Sequence, residues 1–179
     1  MKPRILSVVR LSFPLASAIA ALLAASAPKA EAQLFYKSTT AANSWTGNFW
    51  GTSAAGPFTG AWVSGSNVTF VANGGTALAL TGATTQFASI TADENVNVTA
   101  SGTLGTGGTV ATVTVATGKN MNFGTQAFST AAGTGLIKNG AGILTLGGGT
   151  YAGGFTLNAG TVAVARIVLS HRDLYRDPA

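Results

Sequence analysis

Gly142-Ile143-Leu144-Thr145-Leu146 and Gly160-Thr161-Val162-Ala163-Val164 decide the fold of this chain. In each, a glycine is followed by a run whose larger residues recur at every second position. A period of two puts Leu144 and Leu146, and likewise Val162 and Val164, on one side of an extended strand. Thr145 and Ala163 fall on the other side. A helix would need an apolar stripe every three to four residues with caps at its ends, and no window supplies one. The two runs lie 18 residues apart. That spacing, with twenty-odd residues between comparable runs upstream, suits a solenoid in which each rung stacks on the last.

Working outward, the same alternation appears at Val68–Val71, Ala77–Leu80, Phe87–Ile90, Val96–Thr99, Val110–Val115, Met121–Phe123 and Phe155–Asn158. The chain is read as all-β. A sandwich would show charged outward residues on strands eight to twelve residues apart. Here the outward positions are Thr, Ala, Asn and Ser. Such residues tolerate stacking at about 4.8 Å, where like charges repel. Gly140, Gly142, Gly153, Gly154 and Gly160 permit the corners at which a rung turns. Lys138, the one charge in this part of the chain, is read as a solvent-facing group that blunts lateral strand pairing. Its alternative role is a ligand-binding cation.

The stretch Gly135-Leu136-Ile137-Lys138-Asn139-Gly140-Ala141-Gly142-Ile143-Leu144-Thr145-Leu146 is followed by Thr150-Tyr151-Ala152-Gly153-Gly154 and then Asn158-Ala159-Gly160-Thr161-Val162-Ala163-Val164. Together these resemble the passenger-associated transport repeat, also called the autotransporter-associated β-strand repeat. Its pattern runs Gly-Leu-x-Lys-x-Gly-x-Gly-x-Leu-x-Leu, then Tyr-x-Gly, then Gly-x-Leu. The matching positions are Gly135, Lys138, Gly140, Gly142, Leu144, Leu146, Tyr151, Gly153, Gly154, Gly160, Val162 and Val164. The resemblance spans 133–164. It implies a right-handed parallel β-helix, displayed on or released from the surface of a Gram-negative bacterium, and it implies no reaction. The stretch with Trp45, Trp50, Trp62 and Phe70 also looks like the start of such passengers.

Composition narrows the function further. Of 179 residues, 32 are Ala, 25 Thr and 24 Gly, and 8% are charged, against roughly 25% in an average soluble domain. The absence of cysteine excludes disulfides, thiolate metal sites and thiol catalysis. His171 is the single histidine. The net charge of +5 divides as +3 over residues 1–32, +1 over 33–164 and +1 over 165–179. Lys37, Lys119 and Lys138 do not form the clustered basic surface that phosphates require, so no nucleic-acid partner is expected. Gly147-Gly148-Gly149-Thr150-Tyr151-Ala152 fits a dinucleotide fingerprint only formally, since no helix can follow it. Asp93-Glu94 is the one carboxylate pair before the tail. Neighbours on a strand face opposite ways, which makes them a poor acid–base pair. No catalytic residue, metal site or cofactor is expected.

The ends complete the layout. Lys2, Arg4 and Arg10 precede an apolar run from Leu11 to about Ala27, and Ala30-Glu31-Ala32 supplies small residues where a signal peptidase reads them. Residues 1–32 are read as a signal peptide with Gln33 as the new N-terminus, and no integral membrane segment is expected after cleavage. Residues 33–63 hold all three tryptophans and read as an aromatic plug on the core, with a stacking surface for sugars or partners as the alternative. Residues 64–164 form the β-helical passenger. Ala165–Ala179 is a charged tail, expected to reflect a frame change or early terminus rather than a natural cap, because no membrane barrel follows.

The functional expectation is a non-catalytic, secreted or cell-surface passenger fragment with a display, adhesion or secretion role. Its expected partners are the secretion machinery and a host or cell-surface ligand. Its expected place is the cell surface or outer membrane if intact, and the periplasm if truncated. The rival readings are a β-solenoid enzyme acting on polysaccharides and a Thr-ladder protein that binds ice or forms fibres. The ladder needs Thr-x-Thr at matching rungs, and the stretch Thr109-Val110-Ala111-Thr112-Val113-Thr114-Val115-Ala116-Thr117 supplies its one clear copy. Export generates the first prediction. N-terminal sequencing of periplasmic material should give a chain starting at Gln33, and one starting at Met1 would remove the case for secretion.

Overall fold

Alternating large and small side chains give fifteen short strands in the computed structural model, which describes residues 31–37, 43–99, 102–106, 110–130 and 133–164. Residues 1–30 of the signal segment, including Ala30, and the tail Ala165–Ala179 lie outside the described residues. In chain order the strands are β1 (Gln33–Tyr36), β2 (Asn43–Ser44), β3 (Ser66–Phe70), β4 (Leu78–Thr81) and β5 (Thr85–Ala92). Then follow β6 (Val96–Val98), β7 (Gly102–Thr106), β8 (Ala111–Val115), β9 (Asn120–Asn122) and β10 (Gln126–Thr130). The last five are β11 (Leu136–Asn139), β12 (Ile143–Leu146), β13 (Gly149–Tyr151), β14 (Phe155–Leu157) and β15 (Thr161–Val164).

Strand neighbours in these sheets are parallel and non-consecutive, so the chain winds as a solenoid. One column stacks β1, β3, the second half of β5, β8, β11 and β14. A second stacks β2, β4, β6, β9, β12 and β15. The third stacks the first half of β5 with β7, β10 and β13. Because β5 runs through a corner, it joins the first and third columns into one nine-stranded sheet.

Register brings inward residues over one another. Leu34, Val68, Ile90, Val113, Lys138 and Leu157 form one line in the first column. Leu78, Val96, Met121, Leu144 and Val162 form another in the second. Leu144 and Leu146 are buried, Val162 and Val164 pack against the same core, and Ala163 is exposed. At the corner after β11, Gly140 has φ +73° and a Cβ there would collide with the Val115 carbonyl oxygen of the rung before. A side chain at Gly140 would therefore be excluded twice, by backbone angle and by space.

The first rung is covered. Gly51 and Phe35 exchange two backbone hydrogen bonds of 2.8 Å in an antiparallel bridge on β1, and Trp50 and Gly60 make a second bridge. Beneath them Tyr36, Trp45, Trp50, Trp62 and Phe70 pack with ring centroids 4.9 to 6.2 Å apart. Trp50 Nε1 donates to the Trp45 carbonyl at 2.8 Å, and Trp62 Nε1 donates to Thr85 Oγ1 at 2.7 Å. Large rings bury much apolar area per residue, which suits covering the core at this end. At the other end Phe155 and Leu157 are 37% and 50% exposed.

Two expectations are corrected. Lys138 does not face solvent: it shares the inward parity of Leu136 and its side chain is buried. Asp93 and Glu94 are not on a strand but in a bend after β5, with Asp93 exposed and Glu94 buried. The inward line predicts a contrast. Leu144→Asp should cost several kcal/mol, since it buries an unpaired carboxylate. Thr145→Asp, facing out on the same strand, should cost about 1 kcal/mol or less. Thermal melts of the two variants check the assignment, and equal stability would refute it.

Candidate functional site

Polar groups inside a solenoid must find partners at its corners, where backbone amides and carbonyls are left over from the ladders. Glu94 does so in the corner between β5 and β6. Its Oε2 accepts the backbone N–H of Asn73 at 3.2 Å and of Gly75 at 2.9 Å, both in the corner one rung earlier. Its Oε1 accepts the Asn95 N–H at 3.0 Å and an ion-paired hydrogen bond from Lys119 Nζ, one rung later. One carboxylate thus ties three successive corners. The Lys119 ammonium, then the Asn95 amide, hold its pKa at about 2, well below the ordinary 4.5, against the opposing effect of burial. The corner line continues as the Asn120 N–H donates to Asn95 Oδ1 at 2.9 Å and Thr145 Oγ1 donates to Asn120 Oδ1 at 3.3 Å.

Lys138 performs the matching task with the opposite charge. From β11 its Nζ donates to the carbonyl oxygens of Asn139 at 2.6 Å and Gly140 at 2.7 Å in its own corner. It also reaches Ala159 O at 3.3 Å in the corner of the next rung. Burial pushes its pKa below the usual lysine value. Tyr151 lies on β13, its ring edge-on to Phe155 at 6.0 Å, and burial raises its phenol to about 12. Its hydroxyl has no hydrogen-bond partner.

Neither charged cluster is arranged for turnover. A general acid or base needs a pKa near the working pH and a proton within reach of substrate. Glu94 stays ionised with its oxygens committed to four donors, and the Lys138 ammonium is spent on three carbonyls. Among the described residues, no three His, Cys, Asp or Glu side chains come together, and no helix is long and apolar enough to cross a membrane.

The residues singled out in the sequence fall into three groups. Leu144, Leu146, Val162 and Val164 line or adjoin the core, with Lys138 at its edge. Gly135, Gly140, Gly142, Gly153, Gly154 and Gly160 sit at corners, and Gly160 has φ +79° where a Cβ would strike the Gly142 carbonyl oxygen. Ala32 and Gln33 stand at the start of β1, the Ala32 carbonyl accepting from the Asn67 N–H at 2.9 Å. Glu94, Asn95, Lys119 and Asn120 were missed as a unit. The available signal was an acidic residue inside an Asn- and Gly-containing corner, in a chain with five acidic residues.

Residues 136–164 match the model of the passenger-associated transport repeat. The match runs from β11 to the end of β15. The repeat and the parallel β-solenoid that contains it fit an autotransporter passenger repeat protein. No curated protein and no solved structure matches the chain.

The Glu94 tie predicts a pH dependence. Its folded-state pKa is depressed, so its contribution to stability is present above about pH 4.5 and is lost as pH falls toward 2. The melting temperature should drop across that window. Glu94→Gln should be less stable at pH 7 and show a shallower drop. Parallel curves for the two proteins between pH 5 and 2 would contradict the tie.

Proposed function

We propose that this chain, which carries a passenger-associated transport repeat on the last described rungs of a parallel β-solenoid, is a non-catalytic passenger segment that is exported and presented for surface contact or adhesion. The observation that carries the reading is the coincidence of repeat and architecture over 136–164. Strands β11 to β15 supply a stackable unit whose interior is fixed and whose outward residues are uncharged. Such a unit extends a surface without extending a catalytic apparatus. An enzyme on the same scaffold would need acidic and basic groups gathered on an open strand face. Here Glu94 and Lys119 are committed to each other and Lys138 is turned inward. Export fits an initial basic and apolar segment ending in Ala30-Glu31-Ala32.

Display tests this reading. Fused ahead of an outer-membrane autotransporter barrel in a Gram-negative host, the chain should become accessible to added protease on intact cells. Leu144→Asp should lower display several-fold. Retention of the unaltered fusion in the periplasm would overturn the passenger role.

A further inference from the structure

The outward side of the first column carries a feature hidden in the linear sequence. Register aligns Asn67, Ser89, Thr112, Ile137 and Thr156 in one file. Thr69, Thr91, Thr114 and Asn139 are aligned in a second, with Asn158 following Leu157 beside Asn139. Each of five successive rungs therefore presents a pair two residues apart: Asn67/Thr69, Ser89/Thr91, Thr112/Thr114, Ile137/Asn139 and Thr156/Asn158. Nine of these ten side chains carry a hydroxyl or an amide. The expected single copy of Thr-x-Thr is one rung of a mixed polar ladder. Rungs lie about 4.8 Å apart, and alternate residues along a strand about 6.6 Å apart.

We propose that this face binds a neutral polysaccharide lying along the stack of rungs. Charge is the first argument. None of the ten outward side chains is charged, so an acidic or basic polymer finds no counter-charge on it, whereas sugar hydroxyls lose nothing by that absence. Hydrogen-bond chemistry is the second. Hydroxyls and amides each offer donor and acceptor, matching a ligand whose groups do the same. Order is the third. Ser89 Oγ donates to Asn67 Oδ1 at 2.6 Å, Gln33 Nε2 to Thr69 Oγ1 at 3.1 Å and Asn158 Nδ2 to Asn139 Oδ1 at 2.9 Å. These bonds and the stiff χ1 of Thr hold the ladder in place before a ligand arrives, which lowers the entropy lost on binding. Repetition is the fourth, because a polymer engages several rungs at once and gains avidity from weak single contacts. An ice lattice would demand strict repetition, which Asn67, Ile137, Asn139 and Asn158 break.

The proposal deepens the adhesive reading by naming a ligand class and rests on it for its setting. Its test uses purified chain, so failure of binding and failure of display are distinguishable. The full chain is mixed with microcrystalline cellulose, insoluble β-1,3-glucan or chitin in 0.5 M salt (~3–5 Å screening length), and depletion from solution is measured. At least one polymer should deplete the unaltered chain. Thr91→Lys and the double variant Thr112→Ala/Thr114→Ala should bind at least tenfold more weakly. Ala163→Lys, outward on the second column, should bind as the unaltered chain does. Melting curves establish that each variant is folded, and the alanine pair keeps the test decisive if the lysine variant is not. No depletion by any polymer, equal binding by all variants, or binding that vanishes at this salt would overturn the proposal. So would thermal hysteresis of ice growth, or self-association abolished by the same variants, since either gives the face a different occupant.

Discussion

A strand in a parallel column has backbone donors and acceptors on both edges, and neither edge is satisfied by the strand that follows in sequence. Partners arrive only when the chain has gone once around and laid the next rung down. Every other feature of this molecule answers that dependence. The first described rung is closed by the antiparallel bridges of Gly51 on Phe35 and Gly60 on Trp50, backed by a cluster of five rings. Interior rungs are held by ladders and by inward side chains packed on their equivalents above and below, so each rung is a template for the next.

Corners are where such a ladder leaves gaps, and among the described residues the buried ionic groups of Glu94 and Lys138 find their partners there. Glu94 gathers two amides from the corner before, the Asn95 amide from its own corner and an ammonium from the next. Lys138 gathers carbonyls from its own corner and the next. A buried charge with too few partners destabilises a protein by several kcal/mol. Placing opposite charges where unpaired amides or carbonyls already point turns that cost into a link between rungs. Both groups are thereby committed to holding rungs together.

Strand positions, the all-β class and the inward residues of β12 and β15 were legible because period-two alternation is a local property. Lys138 was misplaced for an instructive reason. Its parity with Leu136 already put it inside, but its charge was given more weight than its parity. The Glu94 network showed only as an acid in an Asn- and Gly-containing corner and the polar ladder only as one Thr-x-Thr copy, because the rest of each depends on register. Stacked partners are 22 residues apart from Val68 to Ile90, 25 from Val113 to Lys138 and 19 from Lys138 to Leu157. Corners of unequal length absorb the difference, so no fixed repeat reveals that Thr69, Thr91 and Thr114 are neighbours.

Geometry also separates what the repeat specifies from what it leaves free. In the pattern Gly-Leu-x-Lys-x-Gly-x-Gly-x-Leu-x-Leu, the named positions here are Leu136, Lys138, Leu144 and Leu146, all buried, together with Gly135, Gly140 and Gly142 at corners. The unnamed positions on strands are Ile137, Asn139, Ile143 and Thr145, none of them buried. A lysine named among leucines is thus a statement about the interior, as its three carbonyl partners bear out. It follows that the repeat specifies how rungs stack and nothing of what they touch. On the outward files, Asn139 and Asn158 continue a ladder that begins outside the repeat at Asn67 and Thr69. That continuity carries the polar ladder across the repeat boundary, so the outward files follow the stacking of the whole solenoid rather than the limits of the repeat.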